Sequence, residues 1–383
     1  MSNKTYLFLM LAVALLVRLV ALYLFPNNEF PDDAAYAIAG EQLFNGGMIT
    51  IDNVMPLHPI FYYLVNLVSS VKVANIFISM MTVLAVYYLS KAIFDSELVS
   101  RVASLVWAVY PHAIFYSITG LTETLYVFIL LMIFFFLYRK QFIIASILIV
   151  LSILHRPTLD LLGPIIVFIF SYYVHSLPRR ETLKNVIIYI LVYVLMMGPW
   201  WVHQYVKYDQ FVRLNLGDGL ILYSGNNVLN SSGGAVNSDK GIDLDISWAE
   251  KIDNPIEKNQ AYKEHAYKYI VNNKIHFLKM STVKFVRFWR LWPYNSIYER
   301  PFYIAMSLLS YGVVLILSLI YLITHIRDHL KRVGPILILI TYLSLVHMVL
   351  IASIRYRFPI EPFLIIFASF LSVSYWKKFF NNE

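Results

Sequence analysis

Residues 121–157 read LTETLYVFILLMIFFFLYRKQFIIASILIVLSILHRP. Two apolar runs, 121–138 and 141–156, are separated only by Arg139 and Lys140. A helix needs roughly 20 mainly apolar residues to cross the hydrocarbon layer of a membrane, so each run is close to the length of one span. The stretch therefore predicts two neighbouring membrane helices whose connection carries positive charge.

The rest of the chain repeats this pattern of apolar runs and short basic connections. Of its 383 residues, 59% are hydrophobic and only 14% are charged, against about a quarter charged in soluble domains. The runs lie at 5–25, 74–91, 100–117, 121–138, 141–156, 159–174, 184–200, 302–324, 335–353 and 359–376. The sequence thus predicts an all-α polytopic membrane protein with about ten transmembrane helices, interfacial helices and one large loop.

The basic residues of the short connections all fall on one side of this predicted topology. They are Lys91, Arg101, Arg139, Lys140, Arg179, Arg180, Lys184, Arg327, Lys331, Arg332, Lys377 and Lys378. The positive-inside rule makes that side cytoplasmic, together with both termini, and the cell membrane is the expected location. The net charge of +8 is therefore explained by topology, and no nucleic-acid partner is predicted. The absence of cysteine excludes disulfides, thiolate catalysis and cysteine-ligated metals.

Three units follow from this topology. Residues 1–200 form a transmembrane catalytic module with a first extracytoplasmic loop at 26–73, residues 201–300 form an extracytoplasmic loop subdomain, and residues 301–383 carry the C-terminal transmembrane helices. Within the large loop, residues 276–290 form an amphipathic helix, with Lys284 and Arg287 on its basic arc. Such a helix either lies on anionic head groups or packs on its own domain.

An acidic pair opens a short helix in the first extracytoplasmic loop. Pro31, Asp32 and Asp33 begin this helix, and Gly46 follows its end, which is ordinary helix punctuation. An aspartate at a helix N-terminus is held as a carboxylate by the exposed N–H groups. Such a carboxylate caps the helix or acts as a general base toward a hydroxyl or an amine.

Several charges lie where short extracytoplasmic connections normally carry none. Arg156, Arg355 and Arg357 are at the outer ends of predicted spans, and their partner is either an acid of the outer loops or a phosphate, which a guanidinium binds bidentately. Glu123 begins the fourth span and is either a functional residue or part of a structural salt bridge. Arg18, inside the first span, is expected to snorkel outward or to pair with an acid.

The histidines do not indicate a metal site. His347 lies within the ninth predicted span and is expected to be a hydrogen-bonded core residue. His58 and His112 have no partner at a recognisable ligand spacing. We therefore expect no metal ligands.

An ordered set of motifs resembles the polytopic glycosyltransferases of the GT-C superfamily, in the group of dolichyl-phosphate-mannose protein mannosyltransferases and lipid A aminoarabinose transferases (glycosyltransferase family 39). The matching segments are 32–36 (DDAAY), 56–62 (PLHPIFY), 122–123 (TE), 155–157 (HRP), 198–201 (GPWW), 219–227 (GLILYSGNN) and 355–362 (RYRFPIEP). They cover most of the chain in the order of the family. One departure is the pair Asp32-Asp33, where the family usually has Asp-Glu.

This resemblance implies a GT-C fold and an inverting transfer of one sugar from a polyprenyl-phosphate donor to a glycan, lipid or protein acceptor at the extracytoplasmic membrane face. Asp32, rather than Asp33, is implied as the catalytic base. Donor phosphate binding is expected at Arg156, Arg355 and Arg357. Sugar or acceptor binding is expected at Glu123, Tyr36, His58, Tyr356 and Asn226. No cofactor is expected, and membrane lipids are the surrounding partners.

Two other functions fit the same pattern. A transporter or flippase would use intramembrane charges and broken helices to carry a substrate across the bilayer, although the charges here cluster at one surface. An O-antigen polymerase or ligase would use a diphosphate-linked glycan and would give the Asp32-Asp33 pair no special role. A non-enzymatic membrane scaffold would tolerate substitution of Asp32 and the three arginines.

Overall fold

A computed structural model describes residues 2–235, 246–294 and 299–380. Within these ranges the regular structure is helical and contains no strand, which confirms the predicted all-α class. The helices are α1 (Asn3–Leu24), α2 (Pro31–Phe44), α3 (Leu57–Asn66), α4 (Val71–Phe94), α5 (Glu97–Ala108), α6 (Pro111–Ser117), α7 (Glu123–Tyr138), α8 (Phe142–His155), α9 (Gly163–Ile169), α10 (Arg179–Tyr208), α11 (Asp218–Gly225), α12 (Ser247–Glu250), α13 (Pro255–Asn272), α14 (Lys274–Phe288), α15 (Pro301–Ser307), α16 (Val313–Val349), α17 (Ile354–Arg357) and α18 (Glu361–Phe380).

Among the described residues, five helical segments are long and apolar enough to cross a membrane: Asn3–Leu24, Val71–Phe94, Arg179–Tyr208, Pro301–Val349 and Ile354–Phe380. A sixth candidate is the pair α5 and α6, which is bent by 54°. Helices α7 and α8 and the segment Gly163–Val174 are apolar but shorter. The count of about ten spans stays a prediction.

Helix starts follow local chemistry. The hydroxyl of Ser70 accepts the N–H of Val73 at the start of α4, so it satisfies one of the amides that a helix leaves unpaired. Helices α2, α6, α13 and α15 begin with proline, whose missing N–H costs nothing in the first turn.

Both ends of the longest helical segment, Pro301–Val349, lie near α17, whereas its middle lies further along α18. Near its start, Tyr311 lies under the guanidinium of Arg357, 3.5 Å from the ring centroid. Near its end, His347 stacks on Tyr356 at 4.5 Å. In the middle of the segment, His329 packs on Phe370 at 4.7 Å. Phe370 lies about 20 Å beyond Arg357 along α18, at a rise of 1.5 Å per residue. The segment therefore doubles back on itself.

Basic residues from separate connections gather at one end of the bundle, which we call the basic end. Arg332 donates to the carbonyl of Ile93 at 3.0 Å, and Lys331 donates to the hydroxyl of Ser176 at 2.8 Å. The N-terminal helix reaches the same end of α4 and α5, because the hydroxyl of Tyr6 donates to the carbonyl of Arg101 at 2.6 Å.

Arg18 corrects one expectation. It does not snorkel, and among the described residues it pairs with no acid; it is fully buried against α4 and α5. Its guanidinium donates to the hydroxyl of Ser79 at 2.8 Å and to the carbonyl of Ala108 at 2.8 Å. Ala108 ends α5, so Arg18 satisfies a carbonyl that the bend between α5 and α6 leaves without a helical partner.

Helix α14 was left with two alternatives by the sequence. The side chain of Lys284 is fully buried, while Ile275, Leu278 and Val286 are exposed. Arg287 donates to the carbonyl of Ala352 at 2.7 Å. The helix therefore packs Lys284 and Arg287 against the protein, which is the second of the two alternatives.

Candidate active site

A cavity of about 800 Å³ opens at the end of the bundle opposite the basic end. Five of the ten residues predicted for the site line it. They are Asp32, Tyr36, Arg156, Arg355 and Tyr356. These residues come from α2, from the end of α8 and from α17, so the fold joins distant parts of the chain, such as Asp32 and Arg355, which are 323 positions apart.

The two acids of the first loop have different surroundings. Asp33 is buried, and its carboxylate accepts the N–H of Phe30 at 3.1 Å, which closes the first turn of α2. Burial raises the pKa of the Asp33 carboxyl. The side chain of Asp32 is 46% exposed and faces the cavity. Asp33 thus caps the helix, and Asp32 is the acid that a ligand in the cavity can reach.

Arg355 links Asp32 to Glu123. Its Nη1 donates to Oδ2 of Asp32 at 2.6 Å, and its Nε donates to Oε1 of Glu123. Nη1 of Arg156 donates to the same Oε1 at 3.0 Å. Glu123 itself does not line the cavity and is fully buried behind the two arginines. Two cations and two anions balance one another here, so the cluster is neutral before a ligand binds.

Aromatic rings hold Arg156 in place. Its guanidinium lies 5.6 Å from the ring centroid of Tyr126 and 5.8 Å from that of Tyr356. Tyr356 in turn stacks on His347, whose Nδ1 lies 2.8 Å from the carbonyl oxygen of Ile351. His347 is therefore a hydrogen-bonded core residue, as the sequence predicted.

Residues 119–122, which we call the Glu123 segment, are held from three sides. Asn75 of α4 donates to the carbonyl of Thr119 at 2.7 Å. Nε2 of His58 lies 2.9 Å from the carbonyl oxygen of Gly120, and Nε2 of His155 lies 2.9 Å from that of Thr122. Burial lowers the pKa of His58 to about 4, so this imidazole is neutral at physiological pH and its N–H is directed at the carbonyl.

Gly120 brings this segment against α2. A Cβ atom at this position would lie 2.9 Å from both Cγ and Oδ1 of Asp33, closer than side chains normally approach. The Glu123 segment, which immediately precedes Glu123, therefore contacts the helix that carries Asp32.

Arg357 and Asn226 lie away from the cavity. Arg357 is fully buried, and its Nε donates to Glu361 at 2.8 Å, so its charge is already paired. Asn226 is buried too, and its amide donates to the carbonyl of Val349 at 2.9 Å. With Asp33, His58 and Glu123, these are the five predicted site residues that do not reach the cavity surface.

Other cavity walls were not singled out from the sequence. The side formed by α11 and α13 is polar and includes Asp218, Asn259, Gln260 and Lys263, and Lys263 contacts Asp218 at 2.8 Å. Apolar and aromatic side chains also line the cavity, among them Leu161, Phe211, Tyr342 and Val346. In the sequence, the neighbouring amide side chains at 259–260 were the feature that indicated this polar wall.

An ion pair spans part of the cavity mouth. Arg213 contacts Asp160, which also accepts the hydroxyl of Tyr193 at 2.6 Å. Both members of the pair line the cavity. In the described ranges, no three histidine, aspartate or glutamate side chains are grouped so as to hold a metal ion.

Comparison with known proteins gives matches among solved structures alone. No family model and no curated protein sequence matches the chain. The apo oligosaccharyltransferase of Archaeoglobus fulgidus matches with a TM-score of 0.59 and 11% identity over 99% of this chain and 51% of that one. The same enzyme tethered to an acceptor peptide with an NVT sequon matches with a TM-score of 0.59 and 14% identity, over 98% and 50%.

The chain has the GT-C fold. A third structure, the oligosaccharyltransferase AglB of Archaeoglobus fulgidus with an inhibitory peptide and a dolichol-phosphate, matches with a TM-score of 0.55 and 13% identity, over 98% of this chain and 51% of that one. This chain therefore spans about half the length of these GT-C enzymes. Together with the long apolar helices, the shared fold makes the chain an integral membrane protein.

Proposed function

We propose that this protein is an inverting glycosyltransferase that moves a sugar from a polyprenyl-phosphate donor to an acceptor at the extracytoplasmic membrane face. The observation that carries the proposal is the 2.6 Å contact between the cavity-facing carboxylate of Asp32 and the guanidinium of Arg355. This contact pairs a base with a phosphate-binding cation on one wall of a cavity that has an apolar side and a polar side.

The apolar side suits the lipid part of the donor. Leu161 and Phe211 line the cavity and are 63% and 64% exposed. In a membrane protein such residues face acyl chains, so a polyprenyl chain entering here stays in an apolar environment. The donor phosphate then reaches Arg156 and Arg355.

The charge cluster suits the proposed reaction, in which Asp32 loses its negative charge while the phosphate gains one. The acceptor oxygen or nitrogen attacks the anomeric carbon, the bond between that carbon and the phosphate oxygen breaks, and the phosphate takes the electron pair. Asp32 accepts the proton of the nucleophile. The donor phosphodiester carries one negative charge, and the released monoester carries nearly two. Because Asp32 becomes neutral as the phosphate gains charge, Arg355 exchanges one anionic partner for another and the balance around it is kept.

The polar side suits an acceptor. Asn259 and Gln260 offer amide groups, and Lys263 and Asp218 form an exposed ion pair at the rim. Hydroxyl-rich ligands are recognised by such convergent polar groups. We propose that the acceptor binds between this wall and Asp32, on the face of the sugar opposite the phosphate.

The location of the basic end supports the proposed orientation. Lys331, Arg332 and the N-terminal helix meet there, and the positive-inside rule assigns such an end to the cytoplasm. The cavity at the other end then faces the extracytoplasmic side of the cell membrane.

The test is a transfer assay with purified protein in nanodiscs, with labelled sugars on polyprenyl monophosphate and diphosphate carriers and a membrane extract as the acceptor source. Asp32→Asn is expected to lower kcat by about 100-fold or more while donor binding is kept. The matched control is Glu29→Gln, an exposed acid of the same loop, which is expected to leave kcat within about twofold.

Three results would overturn the proposal. Wild-type protein that transfers sugar from none of the carriers excludes this activity, and transport of the same lipids in vesicles becomes the next measurement. Normal transfer by Asp32→Asn removes the base from the mechanism. Transfer from the diphosphate carrier alone supports the polymerase or ligase function instead.

A further inference from the structure

Asn226 and Lys284 meet inside the protein, although the sequence predicted the first in a ligand site and the second on the basic arc of an amphipathic helix. Nζ of Lys284 donates to Oδ1 of Asn226 at 3.1 Å and to the carbonyl of Val349 at 2.9 Å. Nδ2 of Asn226 donates to the same carbonyl at 2.9 Å. Both side chains thus converge on the last residue of α16.

Lys284 has no carboxylate partner in the part of the chain that the structure describes. A buried ammonium without a counter-ion is costly, so simple stability is a poor account of its presence. What the ammonium provides is a set of strong, directed hydrogen bonds to neutral oxygens.

Residues 349–352, which we call the Arg355 segment, connect α16 to the turn that carries Arg355. Three of their carbonyls are held by side chains from elsewhere. Lys284 and Asn226 hold that of Val349, the ring of His347 contacts that of Ile351, and Arg287 holds that of Ala352.

The fourth residue of the segment is fixed by close packing. A Cβ atom on Gly225 would lie 2.1 Å from the carbonyl oxygen of Leu350, so a glycine is needed where α11 meets the segment. The N–H of Ala352 also donates to the carbonyl of Gly233 at 2.9 Å. The loop subdomain therefore contacts three of the four residues of the Arg355 segment.

Arg355 follows this segment directly. The hydroxyl of Ser353 accepts the N–H of Arg355 and starts α17. A movement of the segment is therefore transmitted through only two residues to the guanidinium that contacts Asp32. We propose that Lys284 and Asn226 are positioning residues, which set the place of Arg355 by holding the Arg355 segment. The part of this inference that concerns catalysis rests on the proposed function.

The first measurement is hydrogen exchange of backbone amides in Lys284→Met, with Lys279→Met as the control on an exposed position of the same helix. We expect exchange in residues 350–357 to rise at least tenfold in Lys284→Met, with no change in residues 119–123 and none in Lys279→Met. Unchanged exchange in 350–357 would overturn the proposal, and so would an equal rise in both regions, which indicates general loosening.

The second measurement separates KM from kcat in the transfer assay. Lys284→Met is expected to raise the donor KM about tenfold and to lower kcat less than threefold, because Arg355 is displaced but Asp32 is intact. Asn226→Asp keeps the size of the side chain and gives Lys284 a counter-ion, so it protects folding, but it loses the amide donor to Val349. A smaller rise in donor KM is expected for it. An unchanged donor KM in both variants contradicts the proposal.

The two measurements keep this proposal distinct from the proposed function. If the wild type transfers no sugar, the transferase function fails, and binding of polyprenyl phosphate to wild type and Lys284→Met replaces KM. Weaker binding with faster exchange in 350–357 then supports the positioning role. Equal binding, or none to the wild type, overturns it.

Discussion

The Glu123 segment and the Arg355 segment both end beside a charged residue of the proposed site, but different chemistry holds them. Neutral groups from α3, α4 and α8 hold the first, among them His58 and Asn75. Cations and an amide from the loop subdomain hold the second, among them Lys284 and Arg287. The first is thus fixed by the helical bundle itself, and the second depends on how the loop subdomain packs.

The largest effect is expected when the Glu123 carboxylate, which joins the two segments, is removed. In Glu123→Gln, Arg156 and Arg355 lose their shared buried anion, and the free energy of unfolding is expected to fall by about 3 kcal/mol or more. Asp32→Asn removes a half-exposed partner of Arg355 and is expected to cost about 1 kcal/mol or less. Thermal unfolding in detergent compares them, and equal shifts in Tm would contradict this difference.

Glycine substitutions test each segment by steric displacement. Gly225→Ala presses on a backbone carbonyl, so it is expected to cost about 1–3 kcal/mol and to raise the donor KM. Gly120→Ala presses on the side chain of Asp33, which can rotate away, so its cost is expected to be smaller. Gly198→Ala has open space around it and serves as the control in the same unfolding and kinetic measurements. A greater loss in Gly120→Ala than in Gly225→Ala would reverse this order.

Replacing a neutral ring tests the Glu123 segment alone. His58→Leu leaves the carbonyl of Gly120 buried without a donor, which is expected to cost about 1–3 kcal/mol. His58→Gln keeps an N–H donor near the same position and is expected to recover most of that loss. Denaturant unfolding of both variants measures the difference. If both variants are equally destabilised, the ring acts through its packing and the hydrogen bond is not what holds the segment.

The last expected effect is an alkaline pH dependence from Lys284, which holds the Arg355 segment. Burial lowers the pKa of Lys284 to about 8, whereas an unfolded lysine titrates near 10.4. Between these values the unfolded chain binds the additional proton, so Lys284 makes stability rise with pH by at most about 1.4 kcal/mol per pH unit. The Tm of wild type relative to Lys284→Met, followed from pH 7 to pH 10, should therefore increase. A constant difference would contradict the lowered pKa.

The sequence predicted the helical class because apolar length and charge position are local properties, and some of the residues it proposed for the site lie together. Asp32, Arg156 and Arg355 do line the cavity. Arg355 and Arg357 were expected to act together, yet they face apart. Their backbone forms the helical turn α17, in which residues two apart point to different sides, whereas an extended strand would have placed them on one face. That local conformation was not visible in the motif.

The amphipathic pattern of α14 left two alternatives open for a related reason. A helical period shows that Lys284 and Leu278 lie on different arcs but not which arc meets the protein. The carbonyls that attract Lys284 and Arg287 belong to residues 349 and 352, far away in sequence. The polar cavity wall of Asn259 and Lys263 also depends on such distant packing, and composition alone does not reveal it.

Arg18 has a consequence for the order in which the protein is made. Its guanidinium, carried by a helix that is synthesised before α5 and α6, reaches the carbonyl of Ala108 at the bend between them. The hydrogen bond that completes the bend therefore comes from a helix that has already been synthesised. A chain that begins after α1 would lack this donor, and adding α1 as a separate peptide during synthesis would be the way to restore it.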